Sequence, residues 1–225
     1  MNRRKLLCSA SALLAPAALG SRALAQDADR DAALIRAAEA GDVAGVRRLL
    51  GQGASVRGRD AQNRTALLAA TYGNHVEAAR VLIAAGADVN AQDEIRNSAF
   101  LLAGARGYLE ILRLTLAASA DLKNTNRFGG TALIPACHYG HVDTVRELLK
   151  TKIDVDHVNN LGWTALLEAV ILGDGGPAHT EIVRMLVAAG ANVNLVDQQG
   201  ATPLQHARDR RYREIASILE RAGAR

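Results

Sequence analysis

Apolar residues recur along this chain in short helical stripes, broken by polar turns rich in Gly, Asn and Asp. Residues 60–92 show the unit. Asp60-Ala-Gln-Asn-Arg-Thr65 is turn-like, and Thr65 stands before an apolar run as a helix N-cap, its hydroxyl placed to accept an orphan backbone N–H. The spacing predicts a first helix over Ala66–Tyr72, with Leu67, Leu68 and Ala70 inward. Gly73-Asn74 ends it, because both residues tolerate a left-handed stop. A second helix is predicted over Val76–Ala84, with Ala79, Leu82 and Ile83 apolar. It stops at Ala85-Gly86, and Ala87-Asp88-Val89-Asn90 leads into the next turn. Neither helix is long enough to be stable alone. Each therefore has to bury its stripe against a neighbouring unit.

The unit repeats. Thr65, Ser98, Thr131 and Thr164 lie 33 residues apart and open the phrases Thr-Ala-Leu-Leu, Ser-Ala-Phe-Leu, Thr-Ala-Leu-Ile and Thr-Ala-Leu-Leu. One period before Thr65 is Ala32, and 38 residues after Thr164 is Thr202, so one copy carries a five-residue insertion. Six copies then occupy residues 32–225, with the insertion at 174–178 in the fifth and a polar leader without evident structure at 26–31. A fixed period in this range signals a stacked array.

Thr-Ala-Leu-Leu…Gly-Asn-His-Val-Glu…Leu-Ile-Ala-Ala-Gly-Ala-Asp-Val-Asn-Ala resembles the ankyrin repeat. The resemblance implies an all-α solenoid of helix–turn–helix units joined by β-hairpin-like loops. Loops and first helices would line a concave face that binds other proteins. The family's Thr-Pro-Leu-His survives only as Thr202-Pro203-Leu204-Gln205. Elsewhere its histidine is Leu68, Leu101, Ile134 or Leu167, so burial is expected to replace that residue's polar contacts. Ser119 and Lys152 stand where the second helix usually stops on glycine. In a left-handed cap each would cost about 1 kcal/mol, which would weaken the middle of the array.

Residues 1–25 read differently. Asn2-Arg3-Arg4-Lys5, an apolar stretch from Leu6 to Leu19, and Ala23-Leu24-Ala25 have the order of a cleaved export signal, with the cut after Ala25. Arg3-Arg4 followed by Leu6-Leu7 also fits a twin-arginine signal, and the choice between that and the Sec route stays open. Cys8 precedes most of the apolar stretch, so it is not a lipoprotein anchor. The expected location is periplasmic or secreted, with no stable membrane anchor after cleavage. The chain has 27 basic and 23 acidic residues; the signal holds Arg3, Arg4, Lys5 and Arg22 and no acid, leaving 27 − 4 = 23 against 23. Nucleic-acid binding needs a basic footprint, and this mature balance provides none. Only Cys137 remains, so no internal disulfide forms and stacking alone must stabilise a monomer.

Catalytic chemistry finds no arrangement of nucleophile, base and acid, and no cofactor motif is present. His75, His141 and His179 share one repeat position with Tyr108 and Tyr212, which argues for a structural role. Cys137, His138 and His141 offer metal donors on paper, but a structural zinc site wants four ligands at recognised spacings. The Gly173–Gly176 loop lacks the Lys-Ser/Thr of a phosphate loop. Metal or small-ligand binding at these two places is the alternative reading. The leading one is binding of another exported protein across repeats three to five, through Arg96, Arg106, Phe128, Tyr139, Trp163 and Leu172. Aromatic and arginine side chains of this kind dominate binding hot spots. Glu168 is the one acid in an otherwise apolar first-helix stretch.

Overall fold

A computed structural model describes residues 17–225, with side chains described from Gln26 onward. Apart from the helical backbone of residues 17–25, the expected export signal lies outside the described residues. Six helix pairs follow one another: α1 (Ala17–Glu39) and α2 (Val43–Gly51), α3 (Ala66–Tyr72) and α4 (Val76–Ala84), α5 (Ala99–Arg106) and α6 (Leu109–Ala117). The second half holds α7 (Leu133–His138) and α8 (Val142–Leu149), α9 (Ala165–Ile171) and α10 (Pro177–Ala188), α11 (Pro203–Asp209) and α12 (Arg213–Arg221). First helices stack on first helices, and second helices on second helices, so the chain forms two helical layers. Among the described residues there is no strand, and no helix is long and apolar enough to cross a membrane.

One buried side chain per copy runs through the first layer: Leu34, Leu67, Phe100, Leu133, Leu166 and Leu204, all essentially without solvent contact. Leu68, Leu101, Ile134 and Leu167 are buried too, as the missing histidines predicted. The first-helix caps are equally periodic. Thr65, Ser98, Thr164 and Thr202 each accept a 3.2 Å hydrogen bond from the backbone N–H three residues on. Thr131 breaks the series: its buried hydroxyl has no partner. Pro135 explains this. In the other copies the residue four beyond the cap donates its N–H to the cap carbonyl, but proline has none, and α7 starts one residue later than its counterparts.

Two expectations are corrected. Residues 26–31 are not an unstructured leader but part of α1, where Arg30 donates to the Gln52 carbonyl at 2.8 Å and Asp31 accepts from the Ser55 N–H at 2.6 Å. Ser119 does take the left-handed conformation, at φ 63°, but Lys152 does not. At the end of α8 the Thr151 hydroxyl accepts the Ile153 N–H at 3.2 Å and donates to the Leu148 carbonyl at 2.6 Å. A side chain closes that helix, so no left-handed residue is needed. Of these two second-helix stops, only that of repeat three carries the strain.

Candidate functional site

The loops between copies build the site. Asp60, Asp93, Asn126, Asn159 and Asp197 occupy equivalent positions, and one side-chain oxygen of each accepts the N–H groups two and four residues on, at 2.8 to 3.1 Å. Such Asx turns hold the loop tip rigidly. Adjacent loops are tied laterally, Glu94 N–H to the Gln62 carbonyl at 3.2 Å and Asn160 N–H to the Phe128 carbonyl at 2.9 Å. Each tip therefore presents one outward residue at a fixed place. In the three central copies that residue is apolar and exposed: Ile95, Phe128 and Leu161.

A second row comes from the first-helix ends, where Arg106, Tyr139 and Leu172 are equivalent and exposed. Between the two rows lies an open groove of about 950 Å³ spanning repeats three to five. Leu102, Ile134, Pro135 and Glu168 line its deeper part. The Tyr139 ring stacks on that of His138, centroids 4.2 Å apart and planes at 11°. The Arg127 guanidinium lies 4.7 Å from the centre of the Phe128 ring.

Of the six residues proposed from the sequence, Arg106, Phe128, Tyr139 and Leu172 line this groove together. Arg96 and Trp163 do not. Arg96 is exposed and donates to the Thr125 hydroxyl at 3.2 Å. Trp163 is half-buried, and its backbone closes the Asn159 turn through two 3.0 Å hydrogen bonds.

Sequence reasoning noted Glu168 at the groove's polar centre but not its partner Asn159. In four of the five Asx residues the second side-chain atom finds a different partner: Arg64 Nε for Asp60 at 2.7 Å, Tyr72 OH for Asp93 at 2.9 Å, and His206 Nε2 for Asp197 at 2.7 Å. Asn159 Nδ2 donates to Glu168 Oε1 at 2.9 Å. Glu168 is 6% exposed, and burial drives its carboxyl from the ordinary glutamate range up to about 7, with the Asn159 bond opposing. Burial, and then His179, lower the pKa of His138. Counting back nine residues from Glu168 to the Asx position would have revealed the pair, since Asp197 and His206 repeat it one copy later.

The metal alternative gains no support. Among the described residues no three His, Cys, Asp or Glu side chains are placed to hold an ion. Cys137 is fully buried, and burial, reinforced by Glu168, pushes its thiol well up, whereas a metal needs the thiolate. The glycine loop is self-occupied as well. Asp174 Oδ1 accepts the Gly176 N–H and faces His179 Nδ1, both at 2.8 Å, while Tyr212 OH donates to the Gly173 carbonyl at 2.9 Å.

Comparison with known proteins agrees with this architecture. The family described as ankyrin repeats in three copies matches residues 6–93 and 100–197. An ankyrin repeat domain from Acinetobacter baumannii AYE is 56% identical, with a TM-score of 0.83 over 85% of this chain and 98% of that one. The ankyrin repeat protein EF0377 is 39% identical, with a TM-score of 0.82 over 84% and 97%. The ankyrin repeat domain of Bcl-3 is 29% identical, at 0.76 over 86% of each. A putative ankyrin repeat protein of Escherichia coli K12, YahD, is 47% identical over 57 residues, and that match spans 28% of its length and 25% of this chain. With the period, the caps and the two helical layers in agreement, the chain belongs to the ankyrin-repeat family.

Proposed function

We propose that this protein is an exported, non-catalytic scaffold that holds one partner protein in the groove of repeats three to five, shielding or inhibiting it. Ankyrin repeats are protein-interaction modules, and that much comes with the family. The observation that carries the finer reading is the row of Ile95, Phe128 and Leu161. These are exposed apolar tips in the three central copies, where the flanking copies carry Gln62 and Gln199. Isolated apolar residues on a surface need no explanation, but three aligned on rigid turns beside a groove form a contact face. Export rests on the N-terminal sequence, and a 23-to-23 charge balance after cleavage suits a monomer whose partner is a protein and not a nucleic acid.

The test is capture of partner from the extracytoplasmic fraction by the mature protein, against a Phe128→Ala plus Tyr139→Ala variant. One protein retained by the first and lost by the second is the expected result. Equal retention by both would remove the groove from the reading. N-terminal sequencing starting at Gln26 checks the cleavage, and export blocked by Arg3→Lys plus Arg4→Lys assigns the twin-arginine route.

A further inference from the structure

Glu168 is an anomaly in the array. The same position is Arg36, Ala69, Leu102 and Pro135 in the preceding copies and, in the last copy, His206 paired with Asp197. Only in repeat five is a carboxyl placed there, on the groove wall, with its side chain 8% exposed. Its Oε1 is satisfied by Asn159. Its Oε2 faces His138 Nδ1 at 3.6 Å, beyond hydrogen-bond distance. A buried carboxylate without a counter-charge is costly, and replacing it with the leucine or alanine of its neighbours would relieve that cost. Among the described residues no lysine or arginine answers it, and His138 is the basic side chain that faces it. Arg106 and Arg127 line the groove, yet neither forms an ion pair among the described residues, Glu168 included.

We infer that Glu168 is the receptor for a lysine or arginine side chain carried by a partner segment lying along the groove. This rests on the groove reading above and adds the chemistry of its occupant. Four features fix that choice. The carboxylate oxygen left open is an acceptor and wants a charged donor. Phe128 and Tyr139 stand in the same groove, and aromatic faces attract cationic groups. Arg106 and Arg127 belong to repeats three and four, so they repel a cation there and set its place at repeat five. The exposed apolar tips extend beyond any single side chain, which calls for a segment and not a free small molecule.

A bound cation favours the ionised carboxyl, so binding releases a proton and strengthens as pH rises through about 7. The elements packed on α9 are α7, α10 and α11. They bring Cys137 and His138, His179, and His206; Glu181, Arg184, Arg208 and Asp209 on the same helices are exposed or half-exposed. His138, which faces Glu168, has its pKa lowered by burial and then by His179.

The experiment titrates the isotope-labelled full chain with N-acetyl-arginine amide and N-acetyl-norleucine amide, following backbone resonances of Asn159, Trp163 and Glu168. Expected is saturable binding of the arginine probe with Kd on the order of 1 mM, about tenfold tighter at pH 8 than at pH 6. The norleucine probe should bind at least about tenfold more weakly, and Glu168→Gln, which keeps an oxygen for Asn159, should equalise the two. Equal affinity for both probes on the native chain, or an unchanged arginine affinity in Glu168→Gln, overturns the inference, and the first comparison needs no variant to fold. The two readings separate in the capture assay. If Phe128→Ala plus Tyr139→Ala loses the partner while Glu168→Gln retains it in full, the groove stands and the cation receptor falls.

Discussion

His179 Nε2 lies 2.9 Å from the carbonyl oxygen of His138, the last residue of the preceding first helix. His75 makes the same contact with the Glu39 carbonyl at 3.0 Å, and His141 bonds the Ala105 backbone. The His75 and His141 pairs are 36 residues apart, and the five-residue insertion stretches the His179 pair to 41. Pro177 starts α10 early, so His179 sits inside the helix and not at its cap, yet its ring still reaches the same carbonyl. The histidine staples one copy to the next, and the insertion was accommodated around that staple. His179→Ala leaves the His138 carbonyl without its donor, which costs about 1–2 kcal/mol. Urea denaturation should show the loss, and deletion of 174–178, which returns the histidine to the usual register, should leave a folded array.

Much of this architecture was legible because it depends on contacts within one copy. Thr65 caps its own helix, and Gly86 at φ 85° stops its own second helix; both signals sit a few residues from what they control. What was hidden depends on contacts between copies or on substitutes. That Lys152 needs no left-handed turn depends on the Thr151 hydroxyl, and that Thr131 fails to cap depends on Pro135 four residues away. The Asn159–Glu168 pair sat in plain sequence, but its meaning appears only beside the partners of the second Asx atoms of Asp60, Asp93 and Asp197. Trp163 attracted notice as an aromatic, whereas the structure uses its backbone to hold Asn159.

The first-helix caps give a graded test. Thr65→Ala removes an acceptor from the Leu68 N–H and should cost about 1 kcal/mol. Thr131→Val removes a buried hydroxyl that has no partner, so it should be neutral or slightly stabilising. Equal losses in both variants, read from denaturation midpoints, would show that Thr131 caps α7 after all.

Arg96 holds φ 61° at the loop position where the next three copies have Gly129, Gly162 and Gly200. A left-handed arginine carries backbone strain that glycine does not. Arg96→Gly should therefore raise stability by about 0.5–1 kcal/mol, less the loss of its exposed contact with Thr125. A fall in midpoint would mean that this contact outweighs the strain.

Glu168 makes the array's stability depend on pH in a direction opposite to that of paired surface acids. Its folded carboxyl titrates near 7, well above the unfolded value, so the folded chain holds this proton more tightly than the unfolded one. The advantage is complete below the unfolded value of about 4.3 and disappears as pH rises through about 7, for a total of roughly 4 kcal/mol at most. Glu168→Gln cannot ionise and lacks the dependence. The difference in unfolding free energy between the two proteins should favour the variant increasingly from pH 5 to pH 8, then level off. If that difference is flat across the range, the carboxyl is ionised throughout, and some cationic group of the protein already compensates it.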